Sequence, residues 1–319
     1  MDWAKMIGKG DYFQVADGIW GMKEYFVNVY MVQNEADGKW VLIDTGLPIS
    51  GSSVKKMAAD LFGEDNRPAC IILTHGHFDH AGSVKELAQE WNIQVYAHKM
   101  EMPYLTGRSS YPPADPTVGG GLISTLSWTF PMTPIDIRRW VVALPANGHV
   151  PGLDGWKWLH TPGHAPGHVS LWREADKTLI AGDALATVQA ESAMATVTQQ
   201  QAINRPPAFA NYDWVAAEKS VQKLADLKPN VVAAGHGQPM RGKAMQRQLD
   251  GLADNFYRQA LPAQGRYRNR PAVVNASGLV FIPPKEKEKD STLSLILAGV
   301  AGVVAFGVVM LLRRRRITA

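Results

Sequence analysis

The chain has 319 residues, of which 46% are hydrophobic and 19% charged, a composition typical of a folded protein with a sizeable core. Its one cysteine, Cys70, excludes an internal disulfide and favours a reducing compartment. The formal net charge of +4 comes mostly from four arginines at 313–316, so it does not predict a nucleic-acid surface on the folded part.

Short strands alternate with helices in the first part of the chain. Runs of aliphatic and aromatic residues predict strands at 26–32, 39–44, 70–74 and 94–97. Apolar residues at helical spacing predict helices at 51–61 and 82–91. This order indicates a layered α/β domain.

Residues 99–150 have a different character, with a dense run of proline and glycine at 111–121. Long irregular connections inside a domain are usually lids or binding loops, although a disordered insert is the alternative. Its aromatic side chains favour folding back onto the domain. Pocket lining and core packing are both open for four aromatic residues, Tyr104, Tyr111, Trp128 and Tyr212.

The strand-and-helix order then resumes. Strands are predicted at 156–161, 169–173, 179–181 and 230–234. A helix at 214–227 begins after the capping residue Asp213 and ends before Pro229, and a last helix covers 243–258. We therefore divide the chain into a main domain (1–245), a terminal helix with a charged tether (246–290), an apolar segment (291–312) and a basic tail (313–319).

Residues 291–312 carry no charge, and at about 1.5 Å per residue they would form a helix of roughly 30 Å, enough to cross a bilayer. A buried core helix is the alternative, but every face is apolar and charges bracket the run. Ala298 and Gly302 would let two such helices approach, which leaves a homodimer open. The arginines after the run predict a single-pass C-terminal anchor whose C-terminus lies in the cytoplasm. Residues 1–20 contain no secretory signal, so the main domain is expected in the cytoplasm as well.

Metal-ligating residue types cluster after the strand at 70–74, where His75, His77, Asp79 and His80 lie within six residues. Neutral imidazole and carboxylate groups are ligands of zinc, iron and manganese. Further groups of these types follow other predicted strands and stand beside glycine or proline: Asp44, His164, Asp183 and His236. Because strand ends meet at one edge of a sheet, the sequence predicts one shared site.

The ordered set of Asp44, His75-x-His77-x-Asp79-His80, His164, Asp183 and His236 resembles the five-motif signature of the metallo-β-lactamase superfamily over residues 20–240. The resemblance implies a four-layer αββα sandwich and two divalent metal ions, zinc first, with iron or manganese as alternatives. It implies that one metal is held by His75, His77 and His164, and the second by Asp79, His80 and His236. Asp183 would bridge the two ions. Asp44 would orient the histidine loop by hydrogen bonds from behind the ligands, and His168 would stabilise the segment 161–168 that carries His164.

Two metal ions sharing a water can generate a hydroxide at neutral pH, with Asp79 moving the proton. The resemblance and the elimination of subfamilies favour a small carboxylic ester, thioester or lactone as substrate and no nucleic acid. True zinc β-lactamases lack one of the acidic ligands present here, and the glyoxalase II group adds a helical domain for which 241–290 is short. The alternatives are an iron oxidoreductase like the persulfide dioxygenases, a phosphodiesterase or nuclease, and a catalytically silent, membrane-tethered sensor.

Cys70 and the remaining histidines are expected to be structural. Cys70 stands in the middle of a strand and behaves as a small buried apolar residue rather than as a nucleophile. His98 and His149 are expected in structural or surface positions.

Overall fold

The computed structural model describes residues 12–285. The first half of this region forms a seven-stranded sheet in sequential order: β1 (Tyr12–Ala16), β2 (Ile19–Glu24), β3 (Val27–Gln33), β4 (Trp40–Ile43), β5 (Ile71–Ile72), β6 (Val95–Ala97) and β7 (Val141–Ala143). Strands β1 to β4 pair antiparallel, whereas β4 to β7 pair parallel. Parallel neighbours need long crossovers, which here contain α1 (Gly51–Phe62), α2 (Val84–Trp91), α3 (Met102–Leu105) and α4 (Leu122–Leu126).

The second half forms a six-stranded sheet in the order β13-β12-β11-β10-β9-β8. Its strands are β8 (His149–Val150), β9 (Leu153–His160), β10 (Val169–Arg173), β11 (Thr178–Ile180), β12 (Val231–Ala233) and β13 (Met240–Arg241). The parallel pair β11 and β12 is joined through α5 (Ala193–Thr198) and α6 (Trp214–Asp226). The chain continues with α7 (Gly242–Asp254), α8 (Phe256–Gln259) and a separate hairpin of β14 (Val273–Asn275) and β15 (Gly278–Phe281).

Strand β4 shows how the layers arise, because successive side chains point to opposite faces of a sheet and all four of its residues are buried. Trp40 and Leu42 pack with the apolar sides of α1 and α2. Val41 and Ile43 face the other way and meet residues of β10, β11 and β12. A third core lies between the second sheet and helices α6 and α7. The order of layers is therefore helix, sheet, sheet, helix.

Most predicted elements are present with shifted ends, and the Asp213 cap is confirmed, since its Oδ1 accepts from the backbone N–H groups of Val215 and Ala216. The single helix expected at 243–258 is wrong. The helix breaks at Asn255, where φ is −127° and the side-chain amide donates to the Gly251 carbonyl. An asparagine side chain that bonds the backbone of the preceding turn competes with the helical pattern.

The connection at 99–150 is built of short helices and extended segments that fold back onto the domain. Backbone N–H groups of Asp115 and Ile123 donate to the carbonyls of Phe209 and Glu191 at 2.7 and 3.1 Å. Residues 266–279 in turn form hydrogen bonds to this connection. Arg266 N–H donates to Asp115 and Tyr267 Oη to the Pro113 carbonyl, while Leu279 N–H donates to Ser109 Oγ.

Within residues 12–285, none of the helices has both the length and the apolar character needed to span a membrane. The membrane helix predicted at 291–312 and the basic tail at 313–319 lie outside the described residues. Cys70 is buried, as expected, and burial raises the pKa of its thiol to about 12.

Candidate metal centre

Loops that follow strands of both sheets bring the predicted ligands together. The loop after β5 carries His75, His77, Asp79 and His80, and the loop between β9 and β10 carries His164. Asp183 follows β11, and His236 follows β12. All seven side chains are buried. The fold thus collects them at one edge of the sandwich, as the carboxyl ends of parallel strands require.

The seven side chains fall into three overlapping groups whose ligand atoms lie within 4.8 Å of one another: His75, His77 and His164; His75, His80 and Asp183; and Asp79, His80 and His236. His77 Nδ1 and His164 Nε2 are 3.0 Å apart. The Asp183 carboxylate reaches both sides, with Oδ2 at 3.4 Å from His164 Nε2 and at 3.1 Å from His236 Nε2. Its Oδ1 lies 3.5 Å from His80 Nε2.

The outward ring nitrogens of three histidines are held by oxygen atoms. Nδ1 of His80 lies 2.8 Å from Asp44 Oδ2, and Nδ1 of His236 lies 2.7 Å from the Phe26 carbonyl. Nδ1 of His75 lies 3.1 Å from Thr74 Oγ1. Such contacts fix the tautomer and direct the other nitrogen, Nε2, into the cluster, which is the arrangement of metal-binding histidines.

Several inward atoms are buried and have no hydrogen-bond partner among the described residues: His75 Nε2, His80 Nε2 and Asp183 Oδ1. A buried polar atom without a partner costs free energy. Divalent cations accept electron pairs from these atom types, so the donor set fits two ions.

The electrostatics divide the histidines into two kinds. Burial lowers the pKa of His77 to about 3, and it lowers the pKa of His75 and His164 well below the usual value, so these rings stay neutral and keep a lone pair. Burial also lowers the pKa of His80, but the surrounding carboxylates, Asp183 first, outweigh it and raise that pKa well above the usual value. The carboxylates therefore concentrate negative charge on one side of the cluster.

Asp44 and His168 lie behind the ligand groups. Asp44 Oδ1 accepts from Thr74 N–H at 2.7 Å, and its Oδ2 accepts from Thr74 Oγ1 at 2.7 Å. Its backbone has φ +59°, a conformation that non-glycine residues rarely adopt. His168 Nε2 accepts from the backbone N–H of Asp183 at 2.8 Å, and its Nδ1 lies 2.9 Å from Thr161 Oγ1. Both side chains position groups that carry ligands.

A pocket of about 480 Å³ opens onto the cluster, and part of that space is continuous with solvent. Five of the predicted ligands line it, namely His77, Asp79, His164, Asp183 and His236. The remaining lining is Thr196 and the apolar residues Phe26, Phe78, Ile123, Phe130, Met132, Ala190, Pro207, Phe209 and Ala210. No lysine or arginine lines it within the described part of the chain. Pocket lining and core packing were both left open for four aromatic residues, and none of the four lines this pocket. Tyr104, Tyr111 and Tyr212 are buried in the core, and Trp128 is 64% exposed.

Sequence reasoning missed the groups that fix the loops. Tyr30 Oη donates to the Ala234 carbonyl at 2.6 Å, and Asn28 Nδ2 donates to the Gly237 carbonyl at 2.6 Å, so both hold the loop of His236. Glu101 is completely buried between the loops of His77 and His164. These partners are far apart in sequence, and no local pattern marks them.

Residues 22–236 match the family model described as the metallo-beta-lactamase superfamily. The chain belongs to this superfamily. It is 43% identical over 251 residues to a protein of Bacillus subtilis named "Probable metallo-hydrolase YflN", covering 78% of this chain and 95% of the relative. Another B. subtilis relative, "Uncharacterized protein YobT", is 33% identical over 218 residues, or 67% of this chain and 84% of the relative.

Solved structures of metallo-β-lactamase superfamily proteins share the fold. A beta-lactamase domain protein from Burkholderia ambifaria has a TM-score of 0.54 at 19% identity, covering 80% of this chain and 79% of that one. The Rm3 metallo-beta-lactamase has a TM-score of 0.55 at 17% identity, covering 80% and 95%. The family and its relatives identify the chain as a metallo-hydrolase with a metal-binding cluster of histidines and aspartates.

Proposed function

We propose that this metallo-β-lactamase-family chain is a two-metal hydrolase of small, uncharged carboxylic esters, thioesters or lactones. The observation that carries the proposal is the position of Asp183, whose two carboxylate oxygens face histidines of two different ligand groups. Two bound divalent ions supply a water of lowered pKa and polarise the scissile carbonyl oxygen. The nitrogen and oxygen donors favour zinc, with iron or manganese as alternatives.

In this proposal the first ion is held by His75, His77 and His164, and the second by Asp79, His80 and His236. Asp183 contributes to both. A water molecule would attack the substrate in this proposal, so no side chain has to act as a covalent nucleophile. Cys70 is buried in the strand layer, away from such a role.

Asp79 is the residue that we propose to move the proton. Its carboxylate lines the pocket, and its Oδ2 lies 3.7 Å from His236 Nε2. Burial raises the pKa of this carboxyl group in the metal-free chain. A leaving oxygen or sulfur at the pocket floor would receive the proton from the same atom.

The walls of the pocket support an uncharged, apolar substrate. Four phenylalanines line the pocket, and none of its lining residues in the described part of the chain is a lysine or an arginine that could pair with a phosphate or a glutathione carboxylate. The phosphodiesterase and nuclease alternatives have less support, because arginine and lysine commonly contribute to phosphate recognition.

The test is metal analysis of the purified chain, followed by assay against aryl esters, thioesters, lactones and a phosphodiester. We expect two metal ions per chain and hydrolysis of at least one uncharged acyl substrate. Fewer than one ion per chain, or two bound ions with turnover of the phosphodiester only, would contradict the proposal. Bound iron with oxygen uptake and no hydrolysis would favour the oxidoreductase alternative.

Membrane attachment through residues 291–312 is a separate proposal that rests on the sequence alone. We expect the full chain to sediment with membranes and a chain ending at 290 to remain in the supernatant. Protease treatment of intact cells should leave the cytoplasmic catalytic domain uncut. Cross-linking of the full chain tests the homodimer that Ala298 and Gly302 would allow.

A further inference from the structure

Glu101 joins the two loops that carry five of the seven predicted ligands, His75, His77 and His164 among them. Its side chain is completely buried, and it belongs to none of the ligand groups. Oε2 accepts from the backbone N–H of Gly76 at 2.9 Å, and Oε1 accepts from the backbone N–H of Gly167 at 2.6 Å. Gly76 stands between His75 and His77, and Gly167 lies on the loop of His164. One carboxylate therefore spans the gap between the two loops.

Tyr111 fixes the orientation of this carboxylate. Its hydroxyl donates to Glu101 Oε2 and also lies 3.0 Å from the Gly76 nitrogen. Its ring lies 4.5 Å from the His77 ring and stacks on Tyr104 at 4.1 Å. The tyrosine thus contacts the carboxylate, the loop backbone and one ligand ring.

The two glycines allow the close approach that this arrangement needs. A Cβ atom at position 76 would lie 2.5 Å from Tyr111 Oη, and one at position 167 would lie 2.8 Å from the Glu101 backbone nitrogen and from its Cγ. Real Cβ atoms do not tolerate such distances. The loops are therefore packed directly against Glu101 and Tyr111, with no room for a side chain between them.

We infer that Glu101 and Tyr111 are positioning residues that hold the loops of His77 and His164 at the separation required for metal binding. The inference rests on the proposed function, because it assigns His75, His77 and His164 to one ion. His77 Nδ1 and His164 Nε2 are 3.0 Å apart on separate loops. When both nitrogens give their lone pairs to a metal ion, neither can donate a hydrogen bond to the other, so other contacts must hold these loops at that separation.

Glu101→Gln tests the carboxylate with little change in volume. A glutamine offers one oxygen and one amide nitrogen, and the nitrogen would face a backbone N–H donor on one of the two loops. One loop then loses its acceptor. We expect the dissociation constant of the first metal to rise about 10- to 100-fold, which is the usual effect of removing a group that orients ligands. The absorption spectrum of the cobalt-loaded protein should change in the same variant, since it reports the ligand geometry.

Asp115→Asn is the matched control. Asp115 is also a buried carboxylate that accepts backbone N–H groups from two segments, Thr117 and Arg266, but it contacts neither ligand loop. We expect its metal affinity and cobalt spectrum to equal those of the unsubstituted chain. If the effect came from a general loss of packing, metal affinity would fall equally in Glu101→Gln and Asp115→Asn, and that result would overturn the inference.

Tyr111→Phe provides a second variant if Glu101→Gln does not fold. It leaves both backbone contacts of Glu101 in place and removes one donor, so we expect a smaller rise of metal dissociation, up to about tenfold. Unchanged affinity and spectrum in both variants would overturn the inference. The affinity measurement uses no substrate, so a metal-loaded chain without hydrolytic activity would count against the proposed function and leave the positioning role standing.

Discussion

Asp44→Asn should weaken both the fold and the second metal site. Asp44 Oδ2 accepts from Thr74 Oγ1 at 2.7 Å and lies 2.8 Å from His80 Nδ1. Asparagine tolerates the positive φ of this position, so the substitution leaves the backbone unstrained and changes only the side chain. An amide nitrogen beside His80 Nδ1 removes the charged acceptor that fixes the ring.

The expected cost follows from that one contact. A hydrogen bond to a charged group contributes about 1.5–3 kcal/mol, whereas the Thr74 hydroxyl can rotate and donate to the remaining oxygen. We therefore expect urea unfolding of the metal-free protein to show a free energy of unfolding lower by about 2 kcal/mol. With the His80 ring free to turn, the dissociation constant of the second metal should rise about 10- to 100-fold.

Asp176→Asn separates stability from metal binding. Asp176 also accepts the backbone N–H and the hydroxyl of a threonine, Thr178, at 3.2 and 2.7 Å, and its other side-chain partner is Arg173 rather than a histidine of the cluster. This control should lower stability and leave metal affinity unchanged. If Asp44→Asn behaved like Asp176→Asn, or if it left both quantities unaltered, the reasoning that Asp44 orients His80 would be refuted.

Three further substitutions test other parts of the structure. Asp183→Ala removes the carboxylate that faces histidines of different ligand groups, so metal content should fall below two ions per chain and turnover should be lost. If elemental analysis still found two ions per chain, the bridging role would be refuted. Asp213→Ala removes the cap of α6 and should lower the free energy of unfolding by about 1 kcal/mol without affecting metal content, as measured by denaturant titration. Phe130→Arg places a charge in the pocket wall, so kcat/KM for an uncharged ester should fall at least tenfold while metal content stays constant; an unchanged kcat/KM would argue that substrate does not use this wall.

The sequence indicates the cluster of histidines and aspartates because these residue types form local patterns after the predicted strands. His75, His77, Asp79 and His80 lie in one short segment after an apolar strand, which marks them as candidate ligands. The other ligand positions follow strands beside glycine or proline, and the structure brings them to the same edge. A local pattern therefore sufficed to indicate the site.

The rest depends on contacts between distant residues. Glu101 is separated by 25 and 66 positions from the two glycines it joins, and nothing in its neighbours distinguishes it from a surface glutamate. The hairpin of β1 and β2 was not predicted because neither strand contains a long apolar run. The sequence left pocket lining and core packing open for four aromatic residues, since composition cannot tell whether a tyrosine such as Tyr212 faces a cavity or the core.

The contacts between the C-terminal segment and the insert connect the far end of the described chain with the substrate pocket. Residues 266–279 hold the insert through Asp115, Pro113 and Ser109, and the same insert supplies Phe130 and Met132 to the pocket wall. A shortened chain that stops soon after α7 would leave that wall without its outer support. Residue 285 is therefore a better end point than 245 for any truncated enzyme intended for crystallisation or kinetics.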